Sequence, residues 1–178
     1  MRYTVIVDGP NLIPRLIENG LDKDVIADDF SLNKLLVNAI RTPMGLELGN
    51  PSTLGLEFIY SPKLPGPQNK KLTQEQWDNL LNRSSKENAI TLTKVDIASK
   101  NEEKGVDVTV AVRLIEVAEI CDIVCLVSSD KDYVPVLEYL KRKGKYVCTV
   151  GFADSHPIEL RNLSYLFIDI GTYIKKEY

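Results

Sequence analysis

The chain of 178 residues contains one histidine, three cysteines and one tryptophan. With His156 as its only imidazole and no CxxC pair, it cannot build the usual zinc ligand sets. Ser-His-Asp or Cys-His catalysis would have to use that one histidine, in the turn-like stretch Asp154-Ser155-His156-Pro157. Cys121, Cys125 and Cys148 do not make a disulfide framework. Cys125 and Cys148 lie in apolar, strand-like runs and Cys121 lies beside one, which suits small core residues in a reducing cytoplasm. Long apolar runs are missing as well. Val5-Ile6-Val7 is stopped by Asp8, too short for a signal peptide. No segment approaches the roughly 20 residues of a membrane-spanning helix. Nor is there an excess of positive charge: 22 Lys plus Arg stand against 25 Asp plus Glu, a net charge of −3. That balance excludes coating of nucleic acid by bulk charge, so any such contact needs a local basic patch. Neither GxGxxG nor a Walker A loop occurs, which argues against dinucleotide and P-loop sites.

What is present is alternation. Tyr3 to Val7 reads as a buried strand ending at Asp8-Gly9-Pro10-Asn11. Leu12, Leu16 and Ile17 suit a short helix with Pro14 near its first turn. Further helices are expected over about 29–41, over 73–84 with a Thr73/Gln76 capping box, over 106–118 and over 133–142. Gly144 suits the end of the last of these. Strands are expected at 54–60, 89–97, 123–127, 146–150 and 165–170, with a short helix over 158–163. The stretch 61–74, with three prolines, Lys63, Lys70 and Lys71 and no acid, reads as a loop. Short apolar strands alternating with amphipathic helices predict a single α/β domain over residues 1–178, with a mainly parallel sheet.

In such a sheet, ligands bind at the carboxyl ends of the strands where the strand order reverses. In an order 3-2-1-4-5, Asp8 after the first strand and Asp130 after the fourth would face each other, with Asp132 close by. Asp107, expected in the first turn of the helix feeding the fourth strand, joins them only if its loop folds back across that edge. Clustered carboxylates repel one another unless protonated or bound to metal. Mg²⁺ or Mn²⁺, with its preference for oxygen ligands, would use them to polarise a phosphodiester and activate water. Asn11 could hold a water or a phosphate oxygen, and Ser128 and Ser129 could donate to Asp8 or to phosphate. Each acid alone also fits a plainer role: Asp8 a turn, Asp107 a helix first turn, and Asp130 and Asp132 helix caps.

Three motifs in order, Val-Asp8-Gly-Pro-Asn11-Leu, Lys104-Gly-Val-Asp107-Val and Leu-Val-Ser-Ser129-Asp130-Lys-Asp132-Tyr-Val-Pro, resemble the NYN domain, a family grouped with the PIN-like metal-dependent ribonucleases. The later Gly144-Lys145-Tyr-Val and Glu159-Leu160-Arg161 match its usual finish. The resemblance implies a three-layer α/β/α PIN-like sandwich, Mg²⁺ or Mn²⁺, and endonucleolytic cleavage of RNA. It assigns Asp8, Asp107 and Asp130 to the metal and to catalysis, with Asn11, Ser129 and Asp132 in support. One position departs: many relatives carry an Asp where this chain has Arg113. That exchange removes a potential carboxylate, so the chain has either weakened activity or another acid in its place, or Arg113 contacts phosphate.

Lys104 and Lys131, beside the expected site, are candidates to steer an RNA backbone. Tyr133 is a candidate either to stack on a base or to fill the core. The leading expectation is therefore a cytoplasmic, metal-dependent ribonuclease with RNA as its partner and no membrane contact, compatible with a homodimer. The alternative is a catalytically weak or inactive RNA-binding or protein-interaction module on the same fold. A phosphatase reading is disfavoured, because Asp8 is not followed two residues later by a second Asp.

Overall fold

The computed structural model describes residues 2–21, 39–40, 53–61, 90–95 and 103–177. Strand β1 (Tyr3–Asp8) is buried at every position, as a strand covered on both faces must be. It is followed by α1 (Gly9–Glu18), β2 (Thr53–Tyr60), β3 (Ile90–Lys94), α2 (Glu103–Ala118) and β4 (Ile123–Val127). A 3₁₀ turn (Lys131–Tyr133) leads into α3 (Val134–Arg142), then β5 (Tyr146–Gly151), α4 (Ile158–Leu163), β6 (Leu166–Asp169) and α5 (Ile170–Glu177).

The strands form one six-stranded sheet in the order β3-β2-β1-β4-β5-β6. Each of its pairings is parallel. The expected order of the first five strands is met, and the sixth extends the sheet beyond β5. Side chains alternate across it, as the pleat requires. Val5 and Val7 face a core with α1 and α5, where Leu12, Ile13, Leu16, Ile170 and Ile174 pack. Ile6 faces the other core, with Val106, Val110 and Leu114 of α2, Leu137 and Leu140 of α3 and Leu160 of α4. This is a three-layer α/β/α sandwich. Each fully buried aliphatic side chain adds about 1.5–3 kcal/mol to its stability. Cys121, Cys125 and Cys148 are buried and form no disulfide with one another.

Several boundaries differ from expectation. Helix α1 starts at Gly9, capped by the Asp8 carboxylate on the Asn11 amide, so Pro14 lies inside it rather than in its first turn. Helix α2 begins at Glu103, before the expected 106, because its polar first residues continue the helix ahead of the apolar stripe. Asp107 is therefore its fifth residue. Helix α5 was not expected. It is started by Asp169, whose carboxylate accepts from the Gly171 amide and the Thr172 hydroxyl. Of the helix expected over 29–41, Ala39 and Ile40 are described, helical and buried. The helix expected over 73–84 and the proline-rich stretch, apart from Ser61, lie outside the described residues. Among the described residues, no helix is long and apolar enough to cross a membrane.

Candidate active site

Asp8 is the last residue of the central strand and, by alternation, shares the face of Ile6 that α2 and α3 cover. It is 2% exposed. Its Oδ1 accepts from the Asn11 amide at 3.3 Å. Its Oδ2 accepts from the Ser128 hydroxyl at 3.0 Å and from the Tyr133 hydroxyl at 3.0 Å. Burial, opposed by these three donors and reinforced by the Asp107 charge, raises the Asp8 carboxyl from 3.8 to about 6.

Tyr133 is the residue that joins the motifs. Its hydroxyl also stands 3.4 Å from Oδ1 of Asp107, so one phenol spans two carboxylates from different elements. Through Tyr133, Asp107 in the second turn of α2 stands beside the hydrogen-bond network of Asp8. Tyr133 is 2% exposed, which leaves no ring face for a base. Of its two expected roles, the core position holds. Its own ionisation is pushed far up by burial and by the charges of Asp8, Asp107 and Asp130.

Asp130 lies in the same electrostatic field but is held differently. Its Oδ1 accepts from the Asp132 amide at 2.9 Å, capping the 3₁₀ turn. Its own amide donates to Ser128 Oγ at 3.1 Å. Asp132 and Lys131 are exposed. Asn11 is used as a brace, since its Oδ1 accepts from the Ser129 amide at 2.9 Å and ties α1 to the loop after β4. Lys104 lies in α2, but its side chain falls outside the described residues, as do Lys63, Lys70 and Lys71.

Arg113 turns to carboxylates. Its Nε and Nη2 each lie 2.9 Å from Oε2 of Glu57, and its Nη1 also bonds Glu116. Glu57, on β2 and 5% exposed, also accepts from the Thr93 hydroxyl. Sequence reading passed over Glu57 because one Glu in a strand carries no spacing signal.

His156 was also underread. The turn-like stretch is present, and His156 within it is buried, 6% exposed. Its Nδ1 lies 3.1 Å from Ser129 Oγ and its Nε2 lies 3.1 Å from Thr149 Oγ1. Thr149 Oγ1 lies 2.6 Å from Ser164 Oγ, which donates to the Leu160 carbonyl at 2.7 Å. A carbonyl only accepts, so the proton order along the chain follows. Ser164 donates to Leu160, Thr149 to Ser164, His156 Nε2–H to Thr149, and Ser129 Oγ–H to His156 Nδ1. Burial and the nearby Arg161 lower the imidazole from 6.5 to about 4, consistent with that neutral tautomer. Gly151 makes room: a Cβ there would fall 2.4 Å from His156 Nδ1 and 2.7 Å from Ser129 Oγ.

The NYN domain family model matches residues 4–171, nearly the whole chain. The chain belongs to the NYN family. A search of curated proteins finds no match. Among solved structures, this NYN domain is similar to VPA0982 of Vibrio parahaemolyticus, a protein of unknown function. That likeness has a TM-score of 0.61 and 18% identity, and covers 95% of this chain and 92% of the other. It also resembles the MAR1 ribonuclease of Caenorhabditis elegans, with a TM-score of 0.43 and 10% identity over 97% of this chain and 79% of that one.

The donor set at the strand ends consists of oxygens alone, which suits a hard divalent cation. Among the described residues, no three His, Cys, Asp or Glu side chains converge enough to hold an ion unaided. A hard cation placed here would have Asp8 and Asp107 as its nearest protein carboxylates and would need further oxygen ligands to complete its shell.

Proposed function

We propose that this NYN domain is a divalent-metal-dependent endoribonuclease that hydrolyses RNA phosphodiester bonds. The supporting observation is the meeting of Asp8 and Asp107 on the Tyr133 hydroxyl. Carboxylates from two motifs, Asp8 and Asp107, thereby meet on one side chain at the end of the central strand. A bound Mg²⁺ or Mn²⁺ would supply charge neutralisation and an activated water. The chain's own residues supply the rest. Ser128, Asn11 and Tyr133 fix both oxygens of Asp8, so that little reorganisation is needed when a phosphate arrives. Exposed Lys131, between Asp130 and Asp132, would meet a phosphate oxygen in this reading. Asp8 has to ionise to serve as a ligand, which its burial resists and a cation favours.

Cleavage of single-stranded RNA in Mn²⁺ or Mg²⁺, with chelator controls, tests this reading. Asp8→Asn and Asp107→Asn are each expected to lower the rate by at least about a hundredfold. Unchanged cleavage in both variants would overturn it. Arg113 favours a second reading, a binding module without cleavage, since it stands where the family resemblance implies an Asp. Its guanidinium is engaged by Glu57 and Glu116, and Glu57 gives the same face of the sheet a different acid. Metal-independent RNA binding with no cleavage across varied substrates would decide for that reading.

A further inference from the structure

Net charge −3 requires that any nucleic-acid contact be local, and one surface meets that requirement away from the carboxylates. Between Tyr139 and Tyr146 the chain reads Tyr-Leu-Lys-Arg-Lys-Gly-Lys-Tyr, four cations and no acid. Gly144, at φ +76°, ends α3 and turns the chain into β5, which sets Lys143 and Lys145 on either side of the turn. Two surface clefts meet there and share Lys145. One, of about 360 Å³, is lined by Lys141, Lys145, Tyr146 and Tyr165. The other, of about 260 Å³, is lined by Tyr139, Lys143 and Lys145 together with Glu119 and the apolar Ile115, Ala118 and Leu140.

The helix dipole accounts for cations in the last turn of α3. It does not account for the tyrosines beside them. Tyr165 is 77% exposed, Tyr146 43% and Tyr139 37%. Tyr146 and Tyr165 meet edge to face, centroids 5.2 Å apart, and Lys143 lies 5.5 Å over the Tyr139 ring. The platform is held before any ligand arrives. The Tyr165 amide donates to the Val147 carbonyl at 2.8 Å, and Lys145 Nζ donates to the Cys121 carbonyl at 3.0 Å. Exposed aromatic rings beside cations match single-stranded nucleic acid, in which bases stack and phosphates pair with lysine.

Resting on the ribonuclease reading for the choice of RNA, we infer that the α3–β5 turn and Tyr165 form a second, non-catalytic site for single-stranded RNA. It lies at the amino ends of β4 and β5, level with Ile123 and Tyr146. Four residue steps along β5, about 13 Å, separate it from the level of Val127 and the acidic edge. A strand bound there would be tethered while another part of it reached the carboxylates.

The test is fluorescence anisotropy of a labelled ten-nucleotide RNA with the full chain in EDTA, where metal-dependent cleavage is off. Tyr165→Ala is expected to weaken binding about fivefold or more, and Tyr165→Phe to preserve it. Lys141→Gln with Lys143→Gln should flatten the log–log salt dependence by about 1.4, two phosphate contacts. Binding unchanged in Tyr165→Ala would overturn the inference. So would loss of affinity confined to the lysine pair, which marks a surface for any polyanion or anionic membrane. Cleavage in Mn²⁺ is read separately: Asp8-dependent cleavage without Tyr165-dependent binding overturns this site alone, and the converse overturns the ribonuclease reading alone.

Discussion

At the scale of single residues, Asp8 and His156 carry opposed proton linkages in nearly the same pH window. Asp8 is held above its ordinary value, at about 6, so the folded chain binds more protons than the unfolded one between about pH 4 and 6. Its contribution to stability is full below pH 4 and falls by about 3 kcal/mol as pH rises through 6. His156 is held below its ordinary value, at about 4, so there the unfolded chain binds more protons and stability rises with pH from about 4 to 6.5. In the wild type the two slopes offset each other. Asp8→Asn should unmask a stability that climbs from pH 4 to 6.5, and His156→Gln one that falls from pH 4 to 6. Urea midpoints taken across that range read the sign directly. Two flat profiles would contradict the burial argument for both groups. Asp8→Asn should also raise stability near pH 7.5, the mark of a charge kept for function at the fold's expense.

At the scale of elements, the strands were legible because parallel, doubly covered strands are continuous apolar runs; Ile123-Val124-Cys125-Leu126-Val127 has no other use. The acids at their ends were legible because each directly follows such a run. Long-range pairing was not legible. That Tyr133 would span Asp8 and Asp107, or that His156 would join Ser129 to Thr149, depends on which faces α2 and β5 present, and spacing along the chain does not encode that. Helix α5 was missed because Asp169 looks like a strand residue until its cap bonds are seen. Two substitutions test these cross-element ties. Gly151→Ala inserts a methyl group against His156 and Ser129 and should cost about 1–3 kcal/mol. Arg113→Ala leaves Glu57 buried with only Thr93 as a described partner and should cost a similar amount, about 1–3 kcal/mol. Denaturant midpoints at unchanged slope would register both.

At the scale of the whole molecule, a cation that binds only the folded chain must raise its melting temperature. Millimolar Mn²⁺ is expected to shift the wild type upward and to leave Asp8→Asn unmoved, as followed by thermal unfolding with and without chelator. An equal shift in both would place the ion somewhere other than the Asp8 edge.

The position of β1 has a consequence in time. Of the six strands of this sheet, the one synthesised first lies in its middle, and its partners are Thr53–Ile59 on one side and Ile123–Val127 on the other. At roughly 5–20 residues per second of synthesis, Val5-Ile6-Val7 waits on the order of 6–25 seconds before β4 exists. Through that interval the most completely buried segment of the finished protein is an apolar strand with one edge unmet.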